Sequence, residues 1–298
     1  MAALRRVLSS RLARAVAFAA AARAALAAPA GLAAEPPASG KGQRVVCVSK
    51  QITEMLYAIG AEASLVGVDL SSAFPEAAKK LPNVGYHRML SVEGIMTLRP
   101  TLFVHNGGVG PDNVLPQLAA IGIPVKEFRA TASLDEARQL LLDLGSYFGV
   151  AAKAKQVVAD LDRDMEEVAT KAKADVSRPR VMVLHYGRAN NVYLAVGKKS
   201  NATTLIEWAG GVNAVDSPLS MRPLSPEVLA TAAPDVLFVT DFGFDQLGGV
   251  DKVLELPGVS LTPAGRSRRI YRIDECEVIY FGPRTGRTAL KLRDMIHR

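Results

Sequence analysis

The sequence is organised around residues 82–104, which read PNVGYHRMLSVEGIMTLRPTLFV. Tyr86 lies in a predicted loop that the preceding glycine makes flexible. Ser91 and Glu93 have the spacing of a helix start, and Pro100 separates this helix from an apolar run typical of a buried strand. The stretch therefore supplies a candidate metal ligand in Tyr86 and a carboxylate, Glu93, in the first turn of a predicted helix.

A second stretch, residues 221–239, repeats this layout without the tyrosine and reads MRPLSPEVLATAAPDVLFV. An alignment of Ser91 with Ser225 needs no gap. It also matches Arg88 with Arg222, Glu93 with Glu227, Thr97 with Thr231 and Pro100 with Pro234. Self-similarity at this separation indicates a duplicated architecture, so we predict two related lobes.

The N-terminus has the outline of a secretory signal peptide. Residues 1–34 contain several arginines, then an alanine-rich apolar run, then small residues suited to cleavage. The run is interrupted by Arg23 and is too short for a membrane span, which favours removal over anchoring. Residues 35–43 are rich in proline, glycine and serine and are predicted to be a flexible linker.

The basic charge of the chain belongs mostly to this signal. The formal net charge is +7, from 36 Lys and Arg against 29 Asp and Glu. Residues 1–34 hold five of the arginines and no acidic residue, so 31 basic residues remain against 29 acidic ones, or +2. The remaining chain has no dense basic stripe with interleaved aromatics, which argues against a nucleic-acid partner.

The chain has two cysteines, Cys47 inside an apolar strand pattern and Cys276 in a charged stretch predicted to be a turn. These separate settings predict two free thiols rather than a disulfide, even in an oxidising compartment. The sequence contains no CxxC zinc pattern.

Strand and helix patterns alternate through residues 44–149, which predicts an N-terminal α/β lobe with a parallel sheet. Residues 150–176 form one long, charged, alanine-rich helical pattern and predict a stiff connecting helix. Residues 177–298 restart the first pattern as a C-terminal α/β lobe, with an inserted hairpin at Asn191–Lys199. The predicted fold class is thus α/β, with two Rossmann-like lobes of parallel sheets, one long connecting α-helix and a ligand cleft between the lobes.

Ligands of open α/β sheets bind beyond the carboxyl ends of the strands. In the first lobe this rule selects Ser49, residues 86–88 and residues 105–108, and in the second it selects residues 185–188, Met221, Arg222 and residues 241–244. We expect the two sets to face each other across the cleft, where small-molecule sites are common.

Tyr86, together with Arg88 and Arg222, is the strongest candidate for binding. A phenol has a pKa near 10, but a ferric ion and nearby guanidinium groups both favour the phenolate. A hard anionic oxygen stabilises ferric iron, and tyrosine is a known axial ligand of haem. The basic neighbours would also suit the haem propionates.

Each of these residues also has an ordinary explanation. A single loop tyrosine is more often a packing or hydrogen-bonding residue than a ligand, and Arg88 could cap its own helix. His87, His105 and His185 suit polar loops, and no two of them have the i, i+4 spacing of a helical metal site. The basic residues of the last predicted helix, from Arg284 onwards, are typical of a solvated face.

The run Gly85–Ile95 resembles the periplasmic haem-binding proteins of bacterial ABC haem importers. The resemblance continues through residues 195–197 and 209–214, residues 256–259 and 262–265, and residues 281–285, and so covers nearly all of the chain after the signal. The Ser-x-Glu pattern and the Pro-Asp pair are shared with siderophore and cobalamin binders. The context of the tyrosine favours haem.

The resemblance implies that Tyr86 ligates the iron of ferric haem and that Arg88 supports the phenolate. Glu93 and Glu227 would lie at the outer tips of the two lobes and pair with arginines of an inner-membrane ABC permease dimer, which works with its ATPase. A two-fold permease needs one carboxylate from each half, and the equivalent places of these residues in the repeat suit that role. Both glutamates could also cap their helices. The protein would be a periplasmic monomer without catalytic activity.

The chain departs from some of these relatives in the loop Thr240–Phe244, where they carry a second basic residue. Here Phe242 and Phe244 could stack on the porphyrin while Arg222 supplies the charge. Some relatives bind a second haem through a histidine near His185, so the residues allow one haem or two.

Two other functions compete with haem transport. A ferric siderophore or cobalamin carrier would use the same lobes without an iron-ligating tyrosine. An enzyme is disfavoured, because the sequence has no GxSxG elbow, no P-loop and no GxGxxG after a strand.

Overall fold

The computed structural model describes residues 42–173, 175–187 and 192–298. The predicted signal peptide at 1–34 and most of the predicted linker at 35–43 lie outside the described residues. The first half consists of β1 (Val45–Val48), α1 (Lys50–Ala58), β2 (Leu65–Val68), α2 (Val92–Met96), β3 (Leu102–His105), α3 (Val114–Ala120), β4 (Val125–Glu127) and α4 (Leu134–Tyr147).

The first sheet is parallel throughout, in the order β2-β1-β3-β4. All residues of β1 and β3 are buried, because helices cover both faces of the sheet and leave no polar side. The sequence expectation of a parallel first sheet is confirmed. Its carboxyl edge is set by the register of β1 with β3, in which Val48 lies beside His105.

Helix α5 (Ala151–Ala172) follows and has 22 residues. It buries Ala154, Leu161 and Val168 on one face. This face packs on α4 and on the last helix of the chain, so α5 connects the two halves along one side. Among the described residues, no helix combines the length and apolarity needed to cross a membrane.

The second half begins with β5 (Arg180–Gly187), and its remaining elements follow in chain order. They are β6 (Val192–Val196), α6 (Asn201–Trp208), β7 (Val212–Asn213), β8 (Met221–Pro223), α7 (Pro226–Ala232), β9 (Val236–Thr240), α8 (Asp241–Leu247), α9 (Val250–Leu254), α10 (Pro263–Arg266), β10 (Ile270–Ile273), α11 (Glu275–Ile279) and α12 (Thr285–Ile296).

The second sheet is mixed, which corrects the prediction that both sheets are parallel. Its order is β10-β9-β5-β6-β8, with β7 paired to β5. Strands β7, β9 and β10 are parallel, whereas β6 runs antiparallel to both β5 and β8. The predicted insertion at Asn191–Lys199 provides β6, which forms its hairpin with β5 rather than within itself. Residues 188–191 lie outside the described residues.

Charged and polar side chains tie the two halves together on their facing surfaces. Lys50 Nζ lies 2.6 Å from Glu275 Oε1, and Gln51 Nε2 donates to the carbonyl of Phe281 at 2.8 Å. Arg284 donates from Nε and Nη2 to the two carboxylate oxygens of Glu54 at 2.7 and 2.9 Å. The expectation of a solvated face is wrong for Arg284, because its buried partner comes from a helix of the first half.

Both cysteines are buried free thiols, as predicted. Cys47 lies in β1, and Cys276 lies in α11 rather than in a turn. The Asp274 carboxylate caps α11 by accepting from the backbone N–H of Cys276 at 2.7 Å, which explains why this charged stretch begins a helix.

Candidate functional site

The loop that carries Tyr86 is attached to the end of β2. Val68 donates to the carbonyl of Pro82 at 3.0 Å, and the N–H of Val84 donates back to Val68 at 2.9 Å. Two residues after Val68, the N–H of Leu70 donates to the carbonyl of Gly85 at 2.9 Å. These bonds extend the strand pairing beyond β2, so Tyr86 lies at the carboxyl edge of the first sheet, where the sequence rule placed it.

A tight turn then reverses the chain and is held against a neighbouring loop. The N–H of Met89 donates to the carbonyl of Tyr86 at 2.7 Å. Gly110 donates to His87 and accepts from Leu90, both at 2.9 Å. A Cβ at Gly110 would lie 2.7 Å from the carbonyl oxygen of Arg88, so only glycine allows this approach. The backbone around Tyr86 is therefore fixed from two sides.

The Tyr86 side chain is accessible within this fixed loop. Its exposed fraction is 42%, and Leu70 and Met89, which share backbone bonds with the same loop, are 56% and 77% exposed. Arg88 is also exposed. Exposed apolar side chains from segments bonded to the loop of an accessible phenol would suit a flat apolar ligand.

His87 makes two side-chain contacts in this region. Its ring contacts the Tyr86 ring edge-on, with 4.5 Å between centroids and an interplanar angle of 60°. Its Nδ1 lies 3.2 Å from Asp69 Oδ2. Asp69 follows β2 and is 18 residues away in sequence, so no local pattern could have indicated this pair.

Aromatic rings also collect at the carboxyl end of β5 in the second lobe. The Tyr186 ring lies 5.1 Å from that of Tyr193 and 5.6 Å from that of Phe242. Gly243 permits this packing, since a Cβ there would lie 2.8 Å from Tyr186 Cβ. Phe242 thus lies where the rule for sheet ligands placed it, whereas Phe244 packs against the core of the second lobe.

A cavity of about 280 Å³ lies between the two halves. Its lining includes Thr131 and Ala132 from the first half and His185, Met221 and Thr240 from the second. Two of the second-lobe positions selected by the sheet rule, His185 and Met221, therefore meet at one concave surface. Arg222, the neighbour of Met221, is exposed on β8.

Glu93 and Glu227 occupy equivalent places in the two lobes. Ser91 Oγ accepts from the N–H of Gly94 at 3.3 Å, and Ser225 Oγ accepts from that of Val228 at 3.3 Å, so both serines are N-caps. Each glutamate lies in the first turn of its helix and is exposed. Hydrogen bonds from Ser225 and from the backbone of Glu227 itself lower the pKa of the Glu227 carboxyl.

Residues 45–276 match the family model described as periplasmic binding protein. A vitamin B12-binding protein of Yersinia pestis is 29% identical over 199 residues, which are 66% of this chain and 69% of the relative.

Solved structures with the same fold include several haem binders. The periplasmic heme-binding protein RhuT from Roseiflexus sp. RS-1 in apo form is 35% identical, with a TM-score of 0.79, and the match covers 86% of this chain and 98% of RhuT. The periplasmic heme-binding protein BhuT, solved in complex with two hemes, is 30% identical, with a TM-score of 0.76 and coverage of 85% and 97%. A periplasmic heme-binding protein from Pseudomonas aeruginosa is 28% identical, with a TM-score of 0.77 and coverage of 86% and 92%. The chain has two lobes and a connecting helix, and the family model matches most of its length. It therefore belongs to the periplasmic binding protein family.

Proposed function

We propose that the protein captures ferric haem in the periplasm and delivers it to an inner-membrane ABC permease. The observation that carries this proposal is the accessible phenol of Tyr86 at the carboxyl edge of the first sheet, on a loop fixed by backbone bonds. The similarity to heme-binding structures supports haem as the cargo.

The other predicted site residues have complementary roles in this proposal. Tyr86 binds the iron, and Arg88 and Arg222, both exposed, offer positive charge to the phenolate and the propionates. His185 and Phe242 lie on the second lobe and contact the opposite side of the ligand. Their half-buried side chains leave part of each ring accessible.

Cobalamin is the second candidate, because relatives named vitamin B12-binding proteins match two thirds of the chain. Tyr86 separates the two ligands. A carrier that recognises cobalamin by shape does not require a phenolate, whereas a haem carrier with one protein ligand loses most of its affinity when that ligand is removed.

A hemin titration of the wild type and of Tyr86→Ala and Tyr86→Phe tests the proposal. We expect the wild type to give the absorption spectrum of tyrosine-ligated high-spin ferric haem, and both variants to lose it and to bind at least about 10- to 100-fold more weakly. Tyr57→Phe, which removes a hydroxyl from α1 of the same lobe, is the matched control. Unchanged hemin binding in the Tyr86 variants, or tight binding of cyanocobalamin by the wild type, would contradict it.

A further inference from the structure

The Asp69 carboxylate is itself fixed in place, so it can fix the position of a hydrogen-bond donor. It directly follows β2, is 1% exposed, and accepts hydrogen bonds from the backbone N–H of Ser71 at 3.2 Å and from the hydroxyls of Ser71 and Ser72 at 2.5 and 2.6 Å. Burial alone would raise the pKa of this carboxyl, but the bonds from His87, Ser71 and Ser72 outweigh burial and lower it. Asp69 is therefore an ionised acceptor at neutral pH.

This carboxylate determines how the His87 ring lies. Because an ionised carboxylate only accepts hydrogen bonds, His87 Nδ1 must carry the hydrogen that points to Asp69 Oδ2, 3.2 Å away. The carbonyl of His87 is held by the N–H of Gly110 at 2.9 Å. Both the backbone and the side chain of His87 are thus anchored to other parts of the first lobe.

The anchored imidazole in turn supports the Tyr86 ring. The two rings meet edge-on at 4.5 Å and 60°, a favourable arrangement for aromatic pairs. Tyr86 is nevertheless 42% exposed, so this contact restricts the ring from one side and leaves the remainder open. A ligand whose orientation is set before binding loses less side-chain entropy when it coordinates a metal.

We infer that Asp69 and His87 are positioning residues that orient the phenol of Tyr86 for coordination of the haem iron. The inference rests on the proposed function and deepens it. Neither side chain bonds to the iron. Carboxylate and histidine partners orient metal ligands in many proteins, and loss of such a partner usually costs 10- to 100-fold in metal affinity. Here the support passes through a ring contact rather than through a hydrogen bond to the ligand.

The experiment is a hemin titration of His87→Ala, His87→Phe and Asp69→Asn. His87→Ala removes the ring contact, and His87→Phe keeps a ring but cannot donate to Asp69. We expect both to bind hemin about 10- to 100-fold more weakly than the wild type and to shift the phenolate-to-iron charge-transfer band, which a purely structural role would leave in place. Asp69→Asn should produce the same band shift, and combining it with His87→Ala should add little, because the pair acts as one unit.

His297→Gln is the matched control. His297 also faces a carboxylate, that of Asp175 at 3.5 Å, but in a part of the molecule that the proposed site does not use. Thermal unfolding of every apo variant shows whether the fold is intact, and if Asp69→Asn does not fold, the two His87 variants decide the question. Wild-type affinity and an unshifted band in either His87 variant would overturn the inference.

The result also separates this inference from the proposed function. Loss of hemin binding in Tyr86→Ala with no effect of the His87 variants would remove only the positioning role. Unchanged binding in Tyr86→Ala would remove the phenolate site, and the positioning role with it. A wild type that does not bind hemin has the same consequence for both.

Discussion

Both cysteine thiols are buried, and burial lowers their reactivity. Burial raises the pKa of Cys47 to about 12, and burial likewise raises that of Cys276 to about 12. At pH 8 roughly one thiol in ten thousand is then ionised, and the thiolate is the reactive form. We expect the folded protein to react with a disulfide reagent such as Ellman's reagent only through unfolding, and to release two equivalents at once in denaturant. Rapid reaction of either thiol under native conditions would show that its burial is not maintained.

Single residues of the site differed in how far the sequence could identify them. Tyr86 stands out in the sequence because its neighbours are unusual in kind, with a glycine before it and basic residues after it. His87 has the sequence features of an ordinary loop residue, because its partner Asp69 comes from the end of another element. The bond between Glu54 and Arg284, 230 residues apart, is a stronger case of the same limit. Sequence patterns indicate residue types and periodicity, whereas such pairs depend on the tertiary approach of two segments.

Helices α4 and α5 approach each other closely at Gly145. A Cβ on Gly145 would overlap that of Ala154, so the two backbones are in contact here. Glycine-to-alanine changes inside helices usually stabilise by about 0.5–1 kcal/mol. At this position we expect the opposite sign, with Gly145→Ala destabilising by about 1–3 kcal/mol, because the added methyl group overfills a packed contact.

Urea denaturation of Gly145→Ala and of the neighbouring variant Ser146→Ala measures this effect. Ser146 is exposed on the same helix, so its substitution should change the free energy of unfolding by less than about 0.5 kcal/mol. An unfolding midpoint of Gly145→Ala at or above that of the wild type would show that α4 can move away from α5 without cost.

Among the secondary-structure elements, a continuous apolar run next to a proline or glycine is the easiest to predict from the sequence. The apolar run after Pro100, predicted as a buried strand, is β3 (Leu102–His105) and is buried at every position. The orientation of β6 was not predicted, because a hairpin pattern does not specify which neighbouring strand pairs with it. Pairing in a mixed sheet is decided by tertiary contacts rather than by the strand's own residues.

At the scale of the whole molecule, contacts between the two halves stiffen one side. Helix α5 packs on α4 and α12, and the bonds from Glu54 to Arg284 and from Lys50 to Glu275 join the halves directly. A large hinge motion would have to break these bonds, so we expect ligand capture to involve only small changes in the distance between the lobes. A rigid frame of this kind would also hold the two surface glutamates at a constant separation.

In the proposed delivery to a permease, this constant separation would matter. Glu93 and Glu227 are exposed at corresponding helix starts in the two lobes, so under this proposal each would meet one half of a two-fold permease. We expect the double variant Glu93→Ala/Glu227→Ala to bind hemin with wild-type affinity but to lose most haem transport with the permease and its ATPase reconstituted in vesicles. Removal of rim charges typically slows association and reduces its salt dependence, so uptake should also become less sensitive to ionic strength.

The control is Glu62→Ala/Glu207→Ala, which removes one exposed glutamate from each lobe at positions outside the repeat and should transport normally. Equal transport by the two double variants would show that these carboxylates are ordinary helix-start residues, and weaker hemin binding by Glu93→Ala/Glu227→Ala would place them in the ligand site instead.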